Sequence, residues 1–376
     1  MINRRTGFSL LASAALVFAA CGGSATTAPG ALKIGLVTDV GSLNDKNFNQ
    51  YSWEGAQDGA TKIGAPAPKS ATSQVSADIA KNIQSFVDQK FDIIVTIGFA
   101  AGGDTIKAAK ANPKIKFIGI DQGPCIDEKG DPDPTFGCKG DPAKLLPNLQ
   151  GIQWYEQQPG YLAGIVSASI SKTGHIAAIG GTAVIPAVPN YIVGFLNGAK
   201  SVNPAIKVEI QYISPAPDKL AFADPAAGTA FAKQLLSTFP DVDVLFQVAG
   251  LTGNGVLQAA CDAKIWGIGV DVDQYVSTPD TKGCTVVSAE KKLTKNVSDA
   301  IVRISQGKDK GGVVRLGIDT DDVGISSFHE FANLITADVQ KKIDDATAAM
   351  KAGTLKACVA NDFGGCKIDK TGQPTP

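Results

Sequence analysis

Histidine is scarce in the 376-residue chain, which has only His175 and His329. Its seven cysteines form no C-x-x-C pair, so a Cys/His metal site has almost no ligands to draw on. Neither G-x-S-x-G nor H-E-x-x-H occurs, which removes the common serine-hydrolase and zinc-peptidase signatures. An excess of one charge is also missing. Lys and Arg number 35 against 36 Asp and Glu, so there is no electrostatic footprint for nucleic acid or an anionic membrane surface. After residue 30 no apolar run is long enough to span a bilayer, and no solenoid-length repeat is present.

The chain does carry a basic start (Arg4, Arg5), an apolar stretch from Phe8 to Phe18 and Ala19-Ala20 before Cys21. That layout reads as an export signal over residues 1–20, with Cys21 the lipidated first residue of a mature lipoprotein. Residues 21–31 are small and turn-prone, as in a flexible tether. Attachment to the membrane would then come through lipid alone. The competing reading is ordinary cleavage near Ala20, with Cys21 incidental, because Phe18 is unusual three residues before a lipidated cysteine.

The other six cysteines fall in local pairs, Cys125/Cys138, Cys261/Cys284 and Cys358/Cys366. In an exported chain these read as disulfides. Fifteen connectivities are possible, and the local one is preferred because each bridge closes a short loop containing Gly or Pro.

From Lys33 onward, short β-rich runs alternate with stretches of helical spacing, such as Ile79, Ile83 and Phe86. Ten strands are expected, among them Lys33 to Thr38, Phe91 to Ile97, Ile115 to Ile120, Ile265 to Val270 and Cys284 to Ser288. Strands that are nearly all apolar and separated by helices imply parallel sheets covered on both faces, an α/β fold. The series is too long for one sheet. We place one lobe at 32–152, rejoined by 285–310, and a second at 153–284 with 311–350, followed by a tail at 351–376 closed by its own disulfide. The second crossing between lobes is expected near 275–285.

Ligands of open parallel sheets sit outside the carboxyl ends of the strands. The residues there are Asp39, Asn44, Asp45 and Phe48 after the first strand, then Phe99, Asp121, Gly250, Asp271 and Lys291, with Tyr191 or Phe195 from a helix. Carboxylates accept from hydroxyls and ring N–H groups, aromatic faces stack on planar rings, and glycines admit close backbone approach. Singly each residue has a plainer use. Asp39 and Asp45 suit turns or helix caps, Phe48 and Tyr191 suit a core, and Lys291 suits a solvated surface beside Lys292 and Lys295. Their joint position at strand ends is what points to a small, hydroxyl-rich ligand.

The stretches TDVGSLNDKNFNQYSWEG (38–55), KFIGIDQ (116–122), GGTAVIPAVPNYIVGFLNGAK (180–200), WGIGVDVDQ (266–274) and VVSAEKKLTKNVSDAI (286–301) resemble the basic membrane protein family of substrate-binding lipoproteins, the group that includes the purine nucleoside receptor A type. The likeness runs over about residues 32 to 330. It implies a type I periplasmic-binding-protein fold, two doubly wound parallel-sheet lobes closing around a ligand cleft. It also implies a monomeric receptor that serves the permease and ATPase subunits of an ABC importer and binds a nucleoside, purine first, with no cofactor. Position by position, it makes Phe48 a stacking ring with Asp39 beside it, Asp121 a contact to the base edge, Asp271 the acceptor of ribose hydroxyls and Lys291 its assistant. Where the family often has Phe, this chain has Tyr191. Two other readings share the composition: a surface adhesin or sensor on the same fold, and an exported enzyme acting on a nucleoside or sugar through its clustered carboxylates.

Overall fold

The computed structural model describes residues 31–361 and 365–375. The expected export signal and the lipidation site Cys21 lie outside the described residues. Twelve strands appear among the described residues: β1 (Ile34–Val40), β2 (Lys69–Ser73), β3 (Ile93–Ile97), β4 (Lys116–Ile120), β5 (Leu149–Trp154), β6 (His175–Gly180), β7 (Lys207–Tyr212), β8 (Val244–Val248), β9 (Trp266–Asp271), β10 (Thr285–Lys291), β11 (Gly312–Leu316) and β12 (Val323–Ile325). Runs such as Ile93–Ile97, buried at every residue, can only sit inside a sheet covered on both faces.

They form two six-stranded sheets, in the orders β11-β5-β4-β3-β1-β2 and β12-β10-β9-β8-β6-β7. Every pairing is parallel except β10 with β12. The strand order reverses at β1/β3 in the first sheet and at β6/β8 in the second. Such switch points open a crevice beyond the strand ends, and the two crevices face each other. No helix of the described residues is long and apolar enough to cross a membrane.

Helices fill the faces by ordinary means. Helix Phe48–Lys62 begins where the Asp45 carboxylate accepts from the backbone N–H groups of Asn47, Asn49 and Gln50 at 2.8 to 3.0 Å. Helix Ser76–Asp88 lays Ile79, Ile83 and Phe86 on the first sheet. In the second lobe, helices Gln157–Ile170 and Ala187–Val202 pack backbone against backbone. A Cβ on Gly160 would stand 2.2 Å from the Tyr191 carbonyl oxygen, and one on Gly198 1.9 Å from that of Tyr161. Only glycine allows this approach, and it fixes the depth at which Tyr191 enters the cleft.

The lobe boundaries expected from sequence are corrected by the topology. Thr285–Lys291 does not return to the first lobe, because it pairs with β9 and β12 in the second sheet. The helix that follows, Leu293–Ser305, packs on helix Phe48–Lys62 of the first lobe, with Thr294 Oγ1 donating to the Tyr51 carbonyl at 3.0 Å. The crossing therefore falls at residues 291–293, and the loop at 277–280 stays within the second lobe. Nor does 311–350 belong to one lobe: β11 extends the first sheet beside β5, while β12 and helix Ala337–Lys351 lie with the second.

Among the described residues three segments of chain thus join the lobes, at 154–157, 291–293 and 316–323, and they are tied together. Trp154 Nε1 donates to Asn296 Oδ1 at 3.0 Å, Asn296 Nδ2 to Asp322 Oδ1 at 2.6 Å, and Lys295 Nζ to the same oxygen at 2.9 Å. Burial would raise the Asp322 carboxyl, but hydrogen bonds from Thr320, Asn296 and Lys295 outweigh it and hold the group below its ordinary range. The disulfides form as the local pairing expects, Cys125–Cys138, Cys261–Cys284 and Cys358–Cys366, with Cα atoms 4.7, 5.3 and 5.6 Å apart.

Candidate functional site

The two crevices meet in one cavity. Nine of the ten residues picked from strand ends and the Ala187–Val202 helix line it: Asp39, Asp45, Phe48, Phe99, Asp121, Tyr191, Gly250, Asp271 and Lys291. Asn44 does not. It is exposed, its backbone N–H donating to Ser42 Oγ, and the neighbouring Asn49 lines the cavity instead. The open choice between Tyr191 and Phe195 resolves as well. Phe195 is fully buried and stacks on Phe246 at 4.9 Å behind the wall, one helical turn from Tyr191. About 640 Å³ of non-atom space, open mouth included, lies between the lining side chains.

Lys291 is the centre of the charge arrangement. It ends β10, its side chain is 2 % exposed, and its Nζ lies 2.7 Å from Asp121 Oδ2, 3.5 Å from Glu156 Oε1 and 3.8 Å from Asp271 Oδ1. The rings of Trp154, Phe48 and Tyr191 surround the same ammonium at 5.1, 5.3 and 5.7 Å from their centroids. Burial alone would lower the lysine's pKa. The carboxylates of Asp121, Asp271 and Glu156 more than reverse this, so the lysine stays charged.

One lysine cannot neutralise all these acids. Burial pushes the Asp271 carboxyl up to about 6, with Lys291 opposing and Asp121 adding to the rise. Asp39 is pushed up to about 6 chiefly by burial, and Glu156 is raised for the same first reason. Asp45 is raised by burial against the three N–H groups it caps, so its plainer use as a helix cap and its place on the cavity wall both hold.

Two of these aspartates sit on strained backbone. Asp121 (φ 56°) follows β4 and Asp271 (φ 65°) ends β9, each in the left-handed region, which aspartate tolerates better than most residues. The two lobes are alike here, with GIDQ (119–122) in one and GVDVDQ (269–274) in the other. In both, a buried glutamine braces the turn: Gln122 Nε2 donates to the Thr96 and Gly98 carbonyls, and Gln274 Oε1 accepts from the Val270 N–H. Gly98 is required for a different reason. At φ 88° its missing Cβ would lie 1.9 Å from Asp39 Oδ2, so any side chain there would displace that carboxylate.

The Tyr191 hydroxyl donates to Asp271 Oδ1 at 3.2 Å, which joins a helix of the second lobe to a strand end of the same lobe. Asn49 and Asp121 each keep one buried side-chain oxygen with no hydrogen-bond partner in the protein. Buried acceptors of this kind are costly unless something donates to them. The cavity therefore offers acceptors, aromatic faces and a cation already surrounded by carboxylates. Such a site suits a neutral molecule rich in donors, and it repels phosphate.

Three contributors were missed from sequence. Phe222 lines the cavity from the short helix Lys219–Phe222. It lies well past the end of β7, and its only signal was an aromatic set among Asp and Pro in a long loop. Trp154 ends β5 and Glu156 follows it, so both were within reach of the strand-end rule that found the others. The two histidines lie elsewhere: His175 Nε2 and Nδ1 meet Glu209 and Asp241 at 3.1 and 2.8 Å, and His329 meets Asp273 at 2.7 Å while stacking on Tyr275.

Known proteins agree with this architecture. A solute-binding protein of an ABC transporter system from Aeropyrum pernix superposes with a TM-score of 0.74 over 88% of this chain and 94% of its own, at 21% identity, a likeness of fold. A protein named ABC transporter nucleoside-binding protein BmpA, from Lactococcus lactis, is 30% identical over 87% of this chain and 86% of its own. A CD4+ T-cell-stimulating antigen of Listeria innocua is 28% identical over 93% and 96%. The family profile described as ABC transporter substrate-binding protein PnrA-like matches residues 32–356, and the chain belongs to that family.

Proposed function

We propose that this protein is the nucleoside receptor of an ABC importer, purine nucleosides first, anchored outside the cytoplasm by lipid on Cys21 and working as a monomer. The observation that carries the reading is the acceptor-rich cavity: Asp121 and Asn49 each hold a buried oxygen awaiting a donor, and the lone lysine is engaged by three carboxylates. A nucleoside supplies what is lacking. Its ribose hydroxyls and base N–H groups donate, and its flat base takes the ring faces of Phe48, Phe99 and Phe222. A nucleotide would bring two negative charges into a cavity already negative. The Lactococcus relative's name points the same way. For the enzyme alternative, a histidine acid or base has no place, since neither histidine lines the cavity.

Native mass spectrometry of protein purified gently from its own host should show a bound mass in the nucleoside range. Calorimetry should then rank adenosine, guanosine and inosine above uridine, and all of them above the corresponding monophosphates. Monophosphates binding as tightly as nucleosides, or no nucleoside binding at all, would overturn the reading.

A further inference from the structure

Beside the main cavity lies a second chamber that shares four walls with it: Phe99, Asp121, Ile185 and Ala187. It does not touch Phe48, Tyr191, Gly250 or Asp271. The chamber therefore opens from the Asp121 side of the ligand site, away from the Asp271 side. About 1190 Å³ of non-atom space lies within it, mouth included.

The walls proper to this chamber are largely apolar. Trp154 closes one side from the end of β5 and Val313 another from β11. The roof is Phe136, held in the Cys125–Cys138 loop with its ring nearly parallel to Phe99 at 6.3 Å and 11°. Phe136 is 54% exposed, and nothing in the fold's core calls for an aromatic there. An aromatic kept on the surface, facing a second aromatic across a cavity, is a wall for something apolar.

Asp121 determines what could reach the chamber. Its Oδ2 is engaged by Lys291 at 2.7 Å, while its Oδ1 is buried without a partner. On the nucleoside reading, on which this inference rests, Oδ1 takes an exocyclic N–H of the base. An amino group with one substituent still has that N–H to give. Its substituent then leaves the base at the Asp121 side, where the second chamber begins. We propose that the second chamber is a subsite for base-modified nucleosides carrying one aryl or branched-alkyl group on the exocyclic amine. The receptor thus takes up substituted purine nucleosides as well as plain ones.

The test is calorimetry with adenosine, N6-benzyladenosine and N6,N6-dimethyladenosine. Wild type should bind N6-benzyladenosine within about fivefold of adenosine, and the dimethyl compound, which has no N–H for Asp121, about tenfold or more weaker, the loss expected of one unsatisfied buried acceptor. Val313→Trp fills the chamber from an edge strand at a position 40% exposed. It should weaken N6-benzyladenosine by about tenfold or more and leave adenosine within about twofold. Phe136→Ala, at an exposed position, should weaken only the benzyl compound, by roughly fivefold, as loss of a stacking face does. Adenosine binding with N6-benzyladenosine excluded overturns the proposal, as does Val313→Trp treating the two ligands alike or the dimethyl compound matching adenosine. Failure of every nucleoside to bind takes down the nucleoside reading itself, and this inference with it.

Discussion

Replacing Asp271 with Asn should make the protein more stable and a poorer receptor at once. Asn tolerates the left-handed backbone found there (φ 65°) as well as Asp does, so the exchange removes a charge with little change of conformation. The folded chain raises the Asp271 carboxyl from 3.8 to about 6, chiefly through burial. At about 1.4 kcal/mol per factor of ten in the acid constant, keeping it ionised at neutral pH costs the fold roughly 3 kcal/mol. The sign follows from the protons bound. Between pH 4 and 6 the folded state holds a proton that the unfolded state has lost, so wild-type stability falls as pH rises through that window. The stability difference between Asp271→Asn and wild type should thus be complete above about pH 6 and vanish below about pH 4. A gain of several degrees in Tm at pH 7.5 is expected. On the proposed nucleoside reading, with Asp271 accepting from the ribose hydroxyls, a charged acceptor is lost, at roughly 1.5 to 3 kcal/mol of affinity. Thermal melts from pH 4 to 8 and calorimetry with a ribonucleoside measure both quantities. A variant less stable than wild type at pH 7.5, or one with unchanged affinity, would refute the reasoning.

Asp271→Ala should weaken ribonucleosides by about 2 to 4 kcal/mol and reduce the preference over deoxyribonucleosides, whereas Phe48→Ala should lose about 1 to 3 kcal/mol for both sugars alike; Asp319→Ala, at an exposed position off the cavity, should do neither in the same titrations. Asp322→Ala removes the acceptor that Asn296 and Lys295 share and should lower stability in urea by roughly 1.5 to 3 kcal/mol, and a denaturation midpoint equal to wild type would show that the crossings hold without it. On the proposed lipid anchor, Cys21→Ala should move the protein from the membrane to the soluble fraction of detergent-free lysates with its fold unchanged by circular dichroism; unchanged fractionation refutes the anchor.

The sequence by itself determined the fold class. Apolar runs such as Ile93–Ile97 and Val244–Val248 can only be inner strands, and in a parallel sheet the residues that follow them must face the crevice. Asp39, Phe99 and Asp121 were legible for that reason. The disulfides were legible because their separations of 13, 23 and 8 residues make them near neighbours along the chain. Polar β2, Lys-Ser-Ala-Thr-Ser at a sheet edge, gave no such signal, and three-residue β12 was too short to give any.

Tertiary structure alone decided where the chain crosses. A strand's own residues fix which of its faces is buried but not which sheet it joins, so β10 and β11 could be assigned to lobes only once their neighbours β9 and β5 were in place. The same holds for the charge at the site. Lys291 reads as a surface lysine in its run of lysines and becomes the buried centre of the cleft because Asp121, 170 residues away, arrives at 2.7 Å. Coulomb energy depends on distance through space and on burial, and the chain order records neither.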